Sequence, residues 1–233
     1  MKYIIILIII LLLIYWFSKQ QNNNLQHYDY IYGNKWVVII AGVHGNEPAG
    51  SKLMVELINS GYIREMAKQK KINIRVIPKA NEWGLKMNLR YQPGLYPDIN
   101  RNFTDTIKDE TAIKIHELIK PADLIIDLHE GWGFHRRNKH SLGSSVSPAT
   151  DKLSEHLANI SVNELNKYIN DSDKKFIVLY NRPCEIKNTL SCHSKKLFKH
   201  YILIETSGQN NIQPIEVRVN QAFILVDTIL KNY

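Results

Sequence analysis

The chain has 233 residues, 44% of them hydrophobic, and a formal net charge of +8. Roughly 200 residues remain once the N-terminal segment is set aside, enough for one well-buried core, and no internal repeat or long linker divides them. The positive charge is spread along the chain without a Gly-rich phosphate loop or a nucleic-acid motif. That excludes a specific nucleic-acid binder and fits a field that draws in carboxylate-bearing substrates.

Residues 3–17 carry no charge, and 4–14 are purely aliphatic. As a helix the uncharged run rises about 22 Å, short of the roughly 30 Å of bilayer hydrocarbon. Tyr15, Trp16 and Phe17 supply an interfacial aromatic belt that extends it. No small-residue cleavage site follows, so residues 1–18 are expected to be an uncleaved signal anchor, one N-terminal hydrophobic helix that makes the protein single-pass. The alternative is a cleaved signal peptide and a secreted or lumenal protein. Lys2 and Lys19 flank the run on both sides and leave its orientation open. Residues 19–33 are expected as a polar tether, and 34–233 as the catalytic domain.

The run Val37-Val38-Ile39-Ile40-Ala41-Gly42 is a buried strand broken by glycine, and it delivers His44 and Glu47 three residues apart. Ligands collect beyond the carboxyl ends of such strands. A second buried strand, Asp123 to Leu128, ends in His129, and a third, Tyr201-Ile202-Leu203-Ile204, delivers Glu205. Strands are predicted near 36–41, 72–78, 123–129, 175–180 and 200–205, and helices near 47–60, 108–120, 148–169 and 214–231. Strands alternating with helices predict an α/β fold, a mixed, mostly parallel central sheet with helices on both faces.

Residues 80–106 are long and poor in pattern, and they hold Arg90, Asn100 and Arg101. A loop of that length is read as a substrate-binding wall. Residues 131–146 carry His135, Arg136, Arg137, Lys139 and His140, either bordering the cleft or forming a solvated basic loop. His116, within a predicted helix, is read as a surface residue. Cys184 and Cys192 form either a single bridge in an oxidising compartment or two free thiols.

His44-Gly45-Asn46-Glu47, then Asp98-Ile99-Asn100-Arg101-Asn102-Phe103, then Asp127-Leu128-His129, then the strand-borne Glu205 follow the order of the zinc carboxypeptidases. The chain most resembles their succinylglutamate desuccinylase/aspartoacylase branch, over about residues 36 to 230. The resemblance implies one Zn²⁺ per chain held by His44, Glu47 and His129, with Glu205 as general base. It further implies that Arg101, beside Asn100, grips a substrate carboxylate, and that Arg90 stabilises an oxyanion or binds a second carboxylate. Glu130 is a rival carboxylate for the base, and Asp127 a candidate to orient His129 or to sit in a salt pair. Relatives of this branch often carry an extra C-terminal β-domain, and the short stretch after Glu205 leads us to expect none here.

The implied activity is zinc-dependent hydrolysis of an amide bond in a carboxylate-bearing substrate, an N-acyl amino acid or a C-terminal peptide residue. The implied partners are that substrate and, through the N-terminal helix, a membrane. The alternative is a catalytically silent, membrane-anchored binding protein on the same fold.

Overall fold

A computed structural model describes residues 25–181, Cys184 and residues 186–233. The helix expected over residues 1–18 lies outside them. Among the described residues no helix is long and apolar enough to cross a membrane. The strands are β1 (Tyr28–Tyr30), β2 (Trp36–Ala41), β3 (Asn73–Ile77), β4 (Leu124–Gly131), β5 (Ser145–Pro148), β6 (Ile177–Val178) and β7 (His200–Ser207). They form one sheet in the order β1-β3-β2-β4-β7-β5-β6. The central pairings β3-β2, β2-β4 and β4-β7 are parallel, as is β5-β6; β1-β3 and β5-β7 are antiparallel.

Among the described residues seven α-helices accompany the strands: α1 (Pro48–Asn59), α2 (Tyr62–Lys70), α3 (Glu82–Met87), α4 (Glu110–Ile119), α5 (Lys152–Asn166), α6 (Leu190–Lys196) and α7 (Ile215–Asn232). Successive strand residues point to opposite faces, and the two cores follow that parity. Val37, Ile39 and Ala41 join Leu124, Ile126 and Leu128 in a core shared with α1, α2, α5 and α7. Val38, Ile40, Ile125 and Tyr201 join Ala112, Ile115 and Ile119 of α4 and Leu190 of α6 on the other face. Helices therefore cover both faces, as the alternation predicts.

The differences lie in short elements. Tyr28–Tyr30, inside the stretch expected as tether, is an edge strand instead, held by a two-point ion pair in which Arg75 Nε and Nη2 donate to Asp29 at 2.7 and 2.6 Å. The strand expected at 175–180 shrinks to Ile177–Val178. β5, α2, α3 and α6 arise where no element is predicted. Each is too short to show a period of its own and is held by tertiary contacts.

Candidate metal centre

Gly42 ends β2 at φ +69°, a left-handed turn that glycine adopts without strain. The turn after it is clamped from one side: Ala80 and Asn81 donate their N–H groups to the carbonyls of Ala41 and Gly42, at 3.0 and 2.7 Å. Gly45 lies so close to Gly84 that a Cβ there would fall 1.9 Å from the Gly84 carbonyl carbon. Pro48 then opens α1, leaving Glu47 at the helix N-terminus, where the helix dipole favours a carboxylate.

Sheet parity sets the other half. Asp127, His129, Tyr201, Leu203 and Glu205 share the face that carries α4 and α6, and His129 and Glu205 are direct partners in the β4-β7 ladder. His44, Glu47 and His129 are 4%, 3% and 4% exposed, and one donor atom from each lies within 4.8 Å of the others. The Nδ1 atoms of His44 and His129 each sit 2.8 Å from an oxygen of Glu47, and 3.1 Å from each other.

The outward nitrogens meet carboxylates. His44 Nε2 hydrogen-bonds Asp98 Oδ1 at 3.3 Å. His129 Nε2 lies 3.3 Å from Asp127 Oδ1 as an ion pair, not aligned as a hydrogen bond. Tyr201 donates its hydroxyl to Asp127 Oδ2 at 2.7 Å. This backing is the pattern that fixes the tautomer of metal-binding imidazoles. The donor set, two imidazoles and one carboxylate converging without another ligand between them, fits a zinc ion.

The charges push the titrations apart. Burial alone would raise the Glu47 carboxyl, but the His44 and His129 imidazoles outweigh it and hold it well below the usual carboxylate range. Burial pushes the Glu205 carboxyl up to about 8, helped by Glu47 and Asp127 and opposed by His129 and Arg90. Burial would lower His129, yet Asp127 and Glu47 raise it well above its ordinary value.

A cleft of about 350 Å³ opens over the cluster, and Arg90, Asn100, Arg101 and Glu205 all line it. Arg90 spans Glu47 Oε1 and Asp98 Oδ2, with 3.3 Å contacts to each. Asn100 turns its side-chain oxygen to the Leu190 N–H at 2.8 Å, fastening the start of α6. Arg101 is exposed, with Nη1 on the Asn100 carbonyl at 2.7 Å. Cys184 and Cys192 form a disulfide, and the cleft-lining residues Ile186, Thr189 and Ser191 lie between them in the chain.

Glu130 does not reach the cluster with its carboxyl. It faces the opposite side of the sheet, where it accepts from the Ala49 N–H at 2.6 Å and pairs with buried Arg218 of α7. Of the basic loop, His140 lines the cleft, whereas Arg137 pairs with Asp171 and Asp173 outside it. His116 is not a plain surface residue: its Nδ1 meets His193 Nε2 at 2.7 Å.

Two residues escaped the sequence reading. Asp98 opens the Asp-Ile-Asn-Arg-Asn-Phe run, so its signal was present in the sequence. Gln209 carried none; its Nε2 donates to Glu47 Oε1 at 3.0 Å and to the Glu130 carbonyl at 2.7 Å.

The fold has solved relatives. The cell shape determinant protein Csd4 from Helicobacter pylori, in its apo form, aligns at TM-score 0.74 and 19% identity, over 90% of this chain and 54% of its own. Its mDAP-bound form, described as a D,L-carboxypeptidase, aligns at TM-score 0.72 and 19% identity, over 88% and 54%. A candidate metallopeptidase from Shewanella denitrificans aligns at TM-score 0.68 and 17% identity, over 91% and 80%. The chain thus spans about half the length of the Csd4 chains it matches. No curated protein matches it by sequence. Residues 34–161, more than half of the chain, match the succinylglutamate desuccinylase/aspartoacylase catalytic domain, and the chain belongs to that family.

Proposed function

We propose that the domain is a zinc-dependent hydrolase that cleaves an amide bond in a substrate carrying a free carboxylate. The observation that carries the reading is one cleft in which the buried donors of His44, Glu47 and His129 meet a further buried carboxyl, that of Glu205, on the adjacent strand. His44, Glu47 and His129 would hold the zinc ion and leave it accessible to water or substrate. Zinc held there supplies a Lewis acid for the scissile carbonyl and lowers the pKa of a water.

The chain's own residues do the rest. Glu205, raised towards neutrality by its surroundings, is matched to taking a proton from water and returning it to the leaving amine. Arg101, exposed at the rim, offers a planar two-point grip for the substrate carboxylate. Arg90, already fixed by Glu47 and Asp98, places positive charge where an oxyanion develops. Asn100 builds the wall beside them through Leu190.

The substrate is a C-terminal peptide residue or an N-acyl amino acid; both set a carboxylate close to the amide. The Csd4 structures that hold a tripeptide and mDAP support the peptide form. Residues 3–17 anchor the domain to a membrane. The silent binding protein is disfavoured because no member of the donor set, nor the base, is replaced.

The test is elemental analysis of the full chain beside a His44→Ala, His129→Ala double variant. We expect about one zinc per chain, lost in the variant. Glu205→Gln should keep the zinc and lose about 10²- to 10⁴-fold in turnover on a tripeptide or an N-acyl amino acid. A folded wild-type chain that takes up no zinc overturns the reading.

A further inference from the structure

The topology fixes where the chain enters the described domain. β1 runs antiparallel to β3, with Tyr28 beside Val76 and Tyr30 beside Ile74. The chain therefore arrives at Leu25 along the carboxyl edge of the sheet, the edge on which His44, His129 and Glu205 stand. Leu25 lies there in a small cleft with Ala80, Trp83, Gln92 and Pro93. The seven residues before it, 18–24, span at most about 25 Å when fully extended, and the apolar run 3–17 ends where they begin.

Trp83 shares that cleft with Leu25, and the chain that follows Trp83 exposes several large apolar side chains. Trp83, Met87, Leu89, Tyr91, Leu95 and Tyr96 are 42%, 57%, 48%, 50%, 91% and 36% exposed. Single exposed apolar residues need no explanation, but a run of them rimmed by polar groups marks an interaction site. This is not a slack segment. Gln92 donates its N–H to the Pro97 carbonyl at 2.9 Å and its side-chain amide to the Tyr96 carbonyl at 3.2 Å, so Leu95 is held outward at the tip of a closed turn. Three of the six are Trp or Tyr, the residues that settle at the headgroup level of a bilayer. The net charge of +8 adds attraction to an anionic leaflet.

We propose that the surface formed by residues 83–96 rests on the bilayer in which residues 3–17 are embedded, so that the catalytic cleft opens beside the membrane. The inference depends on the anchored reading given above, and it narrows the substrate. A cleft held there takes peptide or acyl chains that are attached to the membrane or lie against it, in preference to freely diffusing ones. The opposite edge of the sheet, where Phe198 is 96% exposed just before β7, faces away from the lipid.

The test uses the full chain in vesicles of phosphatidylcholine and phosphatidylglycerol. An environment-sensitive fluorophore is placed at Leu95→Cys or, as control, at Phe198→Cys, the two native cysteines being bonded to each other. We expect both variants to float with the vesicles. The Leu95 probe should emit to the blue of the Phe198 probe and be quenched several-fold more strongly by spin-labelled lipid. A chain that stays in the lipid-free fraction refutes the anchor and this inference together. A chain that floats with both probes equally quenched leaves the anchor standing and overturns the docking surface. A Leu95 probe already blue-shifted in lipid-free detergent, in particles of twice the mass, assigns the surface to a second copy and also overturns it.

Discussion

Asp98 and Asp127 hold the two imidazoles of the candidate metal centre from behind, one through a 3.3 Å hydrogen bond to His44 and the other through a 3.3 Å ion pair to His129. Removing such a partner leaves the ring free to turn and less basic, which costs metal sites about 10- to 100-fold in affinity. Asp98→Asn should therefore weaken zinc binding by about that factor without unfolding the domain, measured by competition with a chromophoric chelator beside far-UV circular dichroism. An unchanged affinity would reduce Asp98 to a partner of Arg90. The separation of Glu130 from Glu205 was within reach of the sequence as well. Neighbours on a strand point to opposite faces, so a carboxylate directly after His129 has to turn away from whatever His129 binds. Gln209 could not have been found that way, because it reaches Glu47 from an irregular turn after β7 whose path only the folded chain sets.

At the scale of elements, one buried charge pair ties three of them together. Glu130, at the end of β4, accepts from the first turn of α1 and pairs with Arg218 of α7. Arg218 and Glu130 are 3% and 1% exposed, so neither charge has water to fall back on. Arg218→Ala strands the carboxylate and should cost roughly 3–5 kcal/mol of stability, read from urea denaturation. A loss below about 1 kcal/mol would mean that water reaches Glu130. The long elements were legible because α4, α5 and α7 repeat their apolar residues at helical spacing, and β2, β4 and β7 are continuous apolar runs. α3 and α6 were not, since neither is long enough to form alone. α3 is held by its Asn81 cap and by the glycine contact at Gly45, and α6 by its Thr189 cap and the Asn100 bond.

For the whole molecule, the opposed titrations of the centre set how stability depends on pH before metal is added. An unfolded glutamate loses its proton near 4.5, whereas Glu205 keeps its proton up to about 8. Its contribution is complete below pH 4.5 and is lost as the pH rises to about 8. Glu47 runs the other way: its carboxyl is held low, so its contribution is present above 4.5 and is lost on acidification. The metal-free chain should therefore lose stability between pH 5 and 8, and Glu205→Gln should reduce that slope, followed by urea midpoints at stepped pH. Equal slopes in the two proteins would remove Glu205 from the account.

The disulfide and the Asn100 bond bear on the shape of the cleft. Cys184–Cys192 closes the segment that carries Ile186, Thr189 and Ser191. The Leu190 N–H on Asn100 and the Phe103 N–H on the Asn188 carbonyl, at 2.8 and 3.1 Å, fasten it to the arginine-bearing turn. Under the function proposed above, these ties would restrain the described part of that wall, and a substrate too broad for the cleft would be turned away at its rim.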